Sequence, residues 1–187
     1  TPVGDGLIQG QLTDISRHKQ AELSAQQEAI TDALTGLLNR AGFLQKLDDE
    51  IAACAGDENA GFALLLVDLD GFRRANESLG LASGDRILSI TAHRLRSCVK
   101  SSDFISRLGN DSFGIILRSA MGEKAAANVG MRISVALKGF FEVGSAPLQL
   151  GASIGITLFP HDGGDHELLL RNAEMALEHA RLGELAA

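Results

Sequence analysis

From Thr31 onward, apolar and polar positions alternate in blocks that predict a compact mixed fold. Leu34, Leu37, Leu38, Phe43, Leu44, Leu47 and Ile51 recur at helical spacing, with a loop expected near Gly36. "GFALLLVDLD", residues 61–70, is an unbroken apolar run closed by two aspartates, the pattern of a buried central strand. Ile87, Leu88, Thr91, Leu95 and Val99 mark a second helix. In "RLGNDSFGIIL", residues 107–117, two apolar runs are joined by Gly-Asn-Asp-Ser. That is a β-hairpin whose tip holds Asp111, with Ser112 beside it. Ala126, Val129, Ile133 and Leu137 predict a third helix. Residues 140–160 predict a short strand, a turn at Gly144–Pro147 and a long strand. Leu169, Ala173, Ala176, Leu177 and Ala180 line one face of a closing helix.

The order of these elements contains a β-α-β-β-α-β core. It predicts an α/β fold of ferredoxin-like topology, a mainly antiparallel sheet with helices packed on one face. In that topology the end of the first strand and the tip of the middle hairpin are neighbours, so Asp68 and Asp111 are expected to meet. Residues 1–15 do not read as the start of a domain: Gly4 to Ile15 suit a short strand with glycines, with Asp14 as the N-cap of a following helix. Residues 16–30, "SRHKQAELSAQQEAI", carry too few large apolar side chains for a buried helix and suit an exposed connector that can pair with its twin in a homodimer. The compact domain is expected over 31–183.

Composition narrows the function classes. Apolar residues make up 45% of 187, enough for a real core. Aromatics are 4%, with no Trp or Tyr, and 17 Lys and Arg stand against 24 Asp and Glu for a net charge of −7. Nucleic-acid binding is disfavoured on both counts. Any phosphate-bearing ligand is expected to be small and accompanied by metal. Cys54 and Cys98 lie within helical patterns and read as buried thiols. No apolar run reaches the roughly 18–20 residues of a membrane span, so the segment is expected to be cytoplasmic, without direct membrane contact.

Asp68 closes an apolar strand, where an unpaired carboxylate is costly to bury and a cation would offset the cost. Mg²⁺ suits such a place, because it takes one or two carboxylates and completes its shell with phosphate oxygens. Asp70 is expected to face away from Asp68 and to serve another purpose. "HDGGDH", His161 to His166, has metal-site ingredients but sits in a Gly-rich surface stretch. "VDLDGF" also resembles the first motif of haloacid-dehalogenase-type phosphohydrolases, Asp-x-Asp-Gly-Thr, a reading that the hairpin at 104–117 contradicts.

Four motifs in order carry a closer likeness. "DALTGLLNRAGF", "LLLVDLDGFRRANESLGLASGDRIL", "RLGNDSF" and "SIGITLFP" resemble the successive motifs of GGDEF domains, the diguanylate cyclases that join two GTP molecules into cyclic di-GMP. The resemblance implies that Asp68, the Leu69 backbone carbonyl and Asp111 are metal ligands for Mg²⁺. It implies that Asn76 and Asp85 recognise guanine, whose edge suits an amide and a carboxylate. Phe72 and Arg73 fall where backbone amides and a cation meet the phosphates, with Arg181 as a further cation and Gly109 as the glycine of close nucleotide approach.

The departures bear on activity. Asn110 replaces the second signature glycine; Asn tolerates left-handed backbone angles but adds bulk near the nucleotide. Ser112 replaces the signature glutamate, and a hydroxyl is neither a base at neutral pH nor a charged metal ligand. The Arg-x-x-Asp motif of product inhibition becomes Lys100-Ser-Ser-Asp103, and Lys is a poorer fork for a guanine edge than Arg, so that site is expected to be defective. The closing helix has Glu178 for the family's Tyr and lacks its Gly-Arg-Asn. "GQLTDISRHKQAE" is similar to the exit of PAS domains, and degenerate GGDEF domains are often followed by an EAL phosphodiesterase domain. The resulting expectation is a degenerate GGDEF domain that binds GTP and regulates a neighbour without catalysis. The alternatives are an active cyclase and a nucleotide-free dimerisation or relay module.

Overall fold

The computed structural model describes residue 19 and residues 29–57, 59–118, 122–143 and 146–185. The expected upstream tail lies outside the described residues, as does the connector helix apart from Lys19, Ala29 and Ile30, which are helical.

The element order is α1 (Arg40–Ala53), β1 (Phe62–Asp70), α2 (Phe72–Leu79), α3 (Leu81–Cys98), β2 (Phe104–Arg107), β3 (Ser112–Leu117), α4 (Glu123–Leu137), β4 (Phe141–Val143), β5 (Ala146–Leu148), β6 (Gly151–Phe159) and α5 (His166–Leu185). The main sheet has the order β2-β3-β1-β6 and is antiparallel throughout. This is the predicted β-α-β-β-α-β arrangement.

Helices cover both faces of the sheet, not one as expected. Ala63, Leu65, Val67 and Leu69 of β1 pack with Ile87, Leu95, Ile133 and their neighbours on α3 and α4. The alternate set, Phe62, Leu64 and Leu66, packs with Phe43 and Leu47 of α1 and Leu169 and Ala173 of α5. A strand buried on both sides shows no polar alternation, so its run of apolar residues could not reveal the second layer. The second layer is very close to the sheet at Gly155, where an added Cβ would lie 2.1 Å from the Ala173 carbonyl oxygen.

Two local predictions are corrected and one unpredicted element is added. Leu34, Leu37 and Leu38 precede α1, because Asp32 and Thr35 close a turn (Thr35 N–H to Asp32 Oδ1, 2.9 Å) and Asn39 caps the helix through the Gly42 amide at 3.0 Å. Leu38 instead joins β2, donating its N–H to Ile105 O at 3.3 Å and accepting from Arg107 N–H at 2.8 Å. A short helix, α2, precedes α3, separated from it by Gly80 at φ 81°. Pro147 belongs to β5, paired with Glu142, and not to the turn; a two-stranded ribbon tolerates its missing N–H. No helix among the described residues is long and apolar enough to cross a membrane.

Candidate functional site

β1 ends between its two neighbours so that Asp68 pairs with Ser112 of β3 on one side and Ser153 of β6 on the other. The Leu69 amide donates to the Asp111 carbonyl at 3.2 Å, fixing the hairpin tip beside the strand end. Asp68 and Asp111 thus come together as the topology required. They line a cleft of about 490 Å³ with Asp70, Arg73, Arg74 and Arg181 and the turn Leu69–Phe72. Gly71, at φ 79°, turns the chain out of β1 and into α2.

Asp70 shares the face of Asp68, contrary to expectation. Residues two apart on a strand point the same way. Its Oδ1 accepts from Ser153 Oγ at 2.9 Å, and its Oδ2 is buried without a hydrogen-bond partner. The Asp68 carboxyl is pushed above the usual carboxylate range. Burial does most of this, Arg181 opposes it, and the charges of Asp111 and Asp70 add to it. Arg181, reaching down from α5, bonds directly to Asp68 Oδ2. Arg73 pairs with Glu77 at 3.1 Å on the exposed side of α2.

The hairpin tip is held by a residue that sequence reasoning did not single out. Arg107 donates to the carbonyls of Gly109 (3.0 Å) and Asn110 (3.1 Å) and pairs with Asp32 at 3.2 Å. The two members of that pair are 75 residues apart, so no local pattern could reveal it. Among the described residues only glycines have positive φ, and Gly109 is not one of them. Asn110 therefore needs no left-handed conformation; it stands in the turn without that strain. A Cβ at Gly109 would lie 3.0 Å from Ser112 Oγ, a tight approach that the hydroxyl could relieve by turning.

Burial would raise the Asp32 carboxyl, but hydrogen bonds from Thr35 and the Arg107 charge outweigh it and hold it below its ordinary 3.8. A depressed carboxyl contributes stability above the unfolded pKa and loses it as pH falls through the folded value. Asp32→Asn should thus cost about 1 kcal/mol at pH 7, and the gap from the parent should close below about pH 4 in urea melts. A gap that stays constant down to pH 3 would show that the Thr35 and Arg107 contacts together do not hold the carboxyl down.

Asn76 and Asp85 lie apart from the carboxylate cleft, on facing helices α2 and α3. Asn76 Oδ1 is buried with no hydrogen-bond partner and abuts Gly84, the residue before the exposed Asp85. Lys100 and Asp103 line a separate cleft of about 500 Å³ with Lys46, Arg96 and Phe104. Both Asp103 oxygens accept backbone amides, from Lys100 at 2.9 Å and Arg118 at 3.0 Å, so the carboxylate caps its own turn.

Among the described residues, no group of three or more His, Cys, Asp or Glu is arranged to hold a metal. The donors at the cleft, Asp68 and Asp111 with the Leu69 carbonyl, fit Mg²⁺ only when a substrate phosphate supplies further oxygens. In the 161–166 stretch, His161 Nδ1 lies 2.8 Å from Asp162 and His166 Nδ1 lies 2.7 Å from Asp48, two separate pairs.

The comparisons with known proteins agree on one family. The model described as "Diguanylate cyclase, GGDEF domain" matches residues 29–184. The cyclic di-GMP phosphodiesterase NbdA of Pseudomonas aeruginosa is 35% identical over 161 residues, 86% of this chain and 20% of that protein. The bifunctional diguanylate cyclase/cyclic di-GMP phosphodiesterase MucR of the same organism is 35% identical over 155 residues, 83% of this chain and 22% of that protein. A solved sensory box/GGDEF family protein from Caulobacter crescentus is 35% identical with a TM-score of 0.77, covering 82% of this chain and 99% of that one. The chain spans about a fifth of the length of these two curated relatives.

Proposed function

Because this chain belongs to the diguanylate cyclase GGDEF family, whose relatives act in cyclic di-GMP signalling, we propose that its domain binds GTP with Mg²⁺ and regulates a neighbouring domain without making cyclic di-GMP. The observation that carries this reading is the make-up of the cleft. Asp68, Asp70 and Asp111 line it together with Arg73, Arg74 and Arg181, while position 112 offers a neutral hydroxyl where the signature has an acid.

In this reading Asp68, Asp111 and the Leu69 carbonyl hold the ion, which would offset phosphate charge. The backbone at Phe72 and the guanidinium groups of Arg73 and Arg181 receive the phosphates, and Asn76 and Asp85 read the base. Arg181, now paired with Asp68, is a cation of the cleft that can turn to a phosphate. Ser112 cannot take a proton from a ribose hydroxyl at neutral pH, so bound GTP stays intact. The partners this reading allows are an upstream PAS-like domain, an EAL domain of the kind that often follows degenerate GGDEF domains, and a second copy of the chain.

Equilibrium dialysis against Mg²⁺-GTP, with nucleotides resolved by chromatography, tests this. Intact GTP should accumulate on the protein side, and Asp68→Ala should abolish the excess. Equal GTP on both sides at millimolar concentration overturns the reading in favour of a nucleotide-free relay module. That second reading draws on the Arg181–Asp68 pair, which already neutralises the carboxylate. Accumulated cyclic di-GMP would mean an active cyclase.

A further inference from the structure

Gly84 is a residue of α3 that no expectation above assigned a role. It carries no positive φ, so the backbone does not require a glycine there. Glycine is also a poor helix former, and alanine would ordinarily be preferred at an interior helical position. The reason lies across the α2–α3 contact. A Cβ at position 84 would stand 1.8 Å from Asn76 Oδ1 and 2.8 Å from its Cγ. The amide of Asn76 therefore occupies the volume that any other residue at 84 would fill.

The fit has a chemical oddity. Asn76 Oδ1 is buried and makes no hydrogen bond, although an amide oxygen ordinarily finds a donor when taken out of water. It rests instead against the bare Cα of Gly84, a contact of the weak C–H···O kind. An amide held by shape in this way stays where it is only while the space beside it stays open. Asp85 follows Gly84 directly, so the same helical turn seats the amide and presents the carboxylate.

We infer that Gly84 is a positioning residue for base recognition: by leaving room for the Asn76 amide it sets the spacing between Asn76 and Asp85, and with it the preference for guanine over adenine. The inference rests on the GTP-binding reading above and adds to it the residue that fixes its base specificity. It acts through Asn76, so Gly84 itself need touch no nucleotide.

The test is a double-mutant cycle read by dialysis against Mg²⁺-GTP and Mg²⁺-ATP. Gly84→Ala should weaken GTP binding by about tenfold, the worth of a lost polar contact, and leave ATP binding little changed. In an Asn76→Ala background, where the clash is gone, Gly84→Ala should have no further effect. Circular dichroism melts on all four proteins separate folding from recognition. If Gly84→Ala fails to fold while the double variant folds, the inference requires that the double variant, like Asn76→Ala, has lost the preference for GTP over ATP, and a double variant that still prefers GTP overturns it. It is overturned if Gly84→Ala lowers GTP and ATP affinity alike, if its effect is the same in both backgrounds, or if the double variant is unfolded too. A parent that binds GTP while Gly84→Ala binds it equally well sinks this inference alone. A parent that binds no GTP sinks the GTP-binding reading and this inference with it.

Discussion

Ser112→Glu combined with Asn110→Gly should give the chain cyclic di-GMP formation about 10²- to 10⁴-fold above any residual rate of the parent, the span associated with restoring an acid–base group. The register makes position 112 decisive. Ser112 is the direct partner of Asp68 across β1 and β3, so both side chains project from the same face of the sheet. A glutamate there adds a carboxylate to the site where Asp68 and Asp111 already converge, and the glycine at 110 removes bulk from the tip. The Asp68 carboxyl is already held up by burial and by Asp111 and Asp70, so a further acid should make the variant more dependent on Mg²⁺ for its stability. Product chromatography after incubation at high protein concentration reads the first effect. Thermal melts with and without Mg²⁺ read the second. A rate that does not move would show that the chain lost more than its signature acid.

Gly155→Ala makes the tightest backbone clash among the described glycines and should destabilise the domain strongly. Its Cβ would meet the Ala173 carbonyl oxygen at 2.1 Å and the Leu177 amide nitrogen at 2.6 Å, both backbone atoms of α5 that have no rotamer to escape into. The helix must lift from the sheet, opening the cluster of Phe43, Leu47, Leu169 and Ala173 and withdrawing Arg181 from Asp68. The expected loss is about 3 kcal/mol, at the upper end for overpacking, or a melting point lower by about 10 °C. Gly183→Ala, on the same helix with nothing within 4 Å of the new methyl, should be neutral or slightly stabilising. Equal melting points for the two variants would mean that α5 is not seated as described.

The topology was legible because β1 and the hairpin are strong local signals: an apolar run of strand length, and two short runs around Gly-Asn-Asp-Ser. From topology alone it followed that Asp68 and Asp111 meet. Several features were less visible, for physical reasons. The second helical layer leaves no trace in a strand that is apolar on both faces. Leu34, Leu37 and Leu38 have helical spacing, but the Asp32–Thr35 turn and the pairing of Leu38 with β2 fix their backbone otherwise. The shared face of Asp68 and Asp70 follows from the two-residue period of a strand and needed only that rule. The Arg107–Asp32 pair and the Gly84–Asn76 fit depend on contacts between elements, which a single sequence does not announce.

The junction of Leu38 with β2 has a consequence for association. An outer strand with unsatisfied amides and carbonyls is a template on which a foreign strand can assemble. Here the chain lays one of its own residues along that margin, and Leu38 takes up the Ile105 carbonyl and the Arg107 amide. The bridge is parallel, against the antiparallel habit of the sheet, and it is an isolated bridge, not a further strand. It acts as a selvedge: the weave ends at β2 because the last thread has been turned back and fastened by the segment that leads into α1.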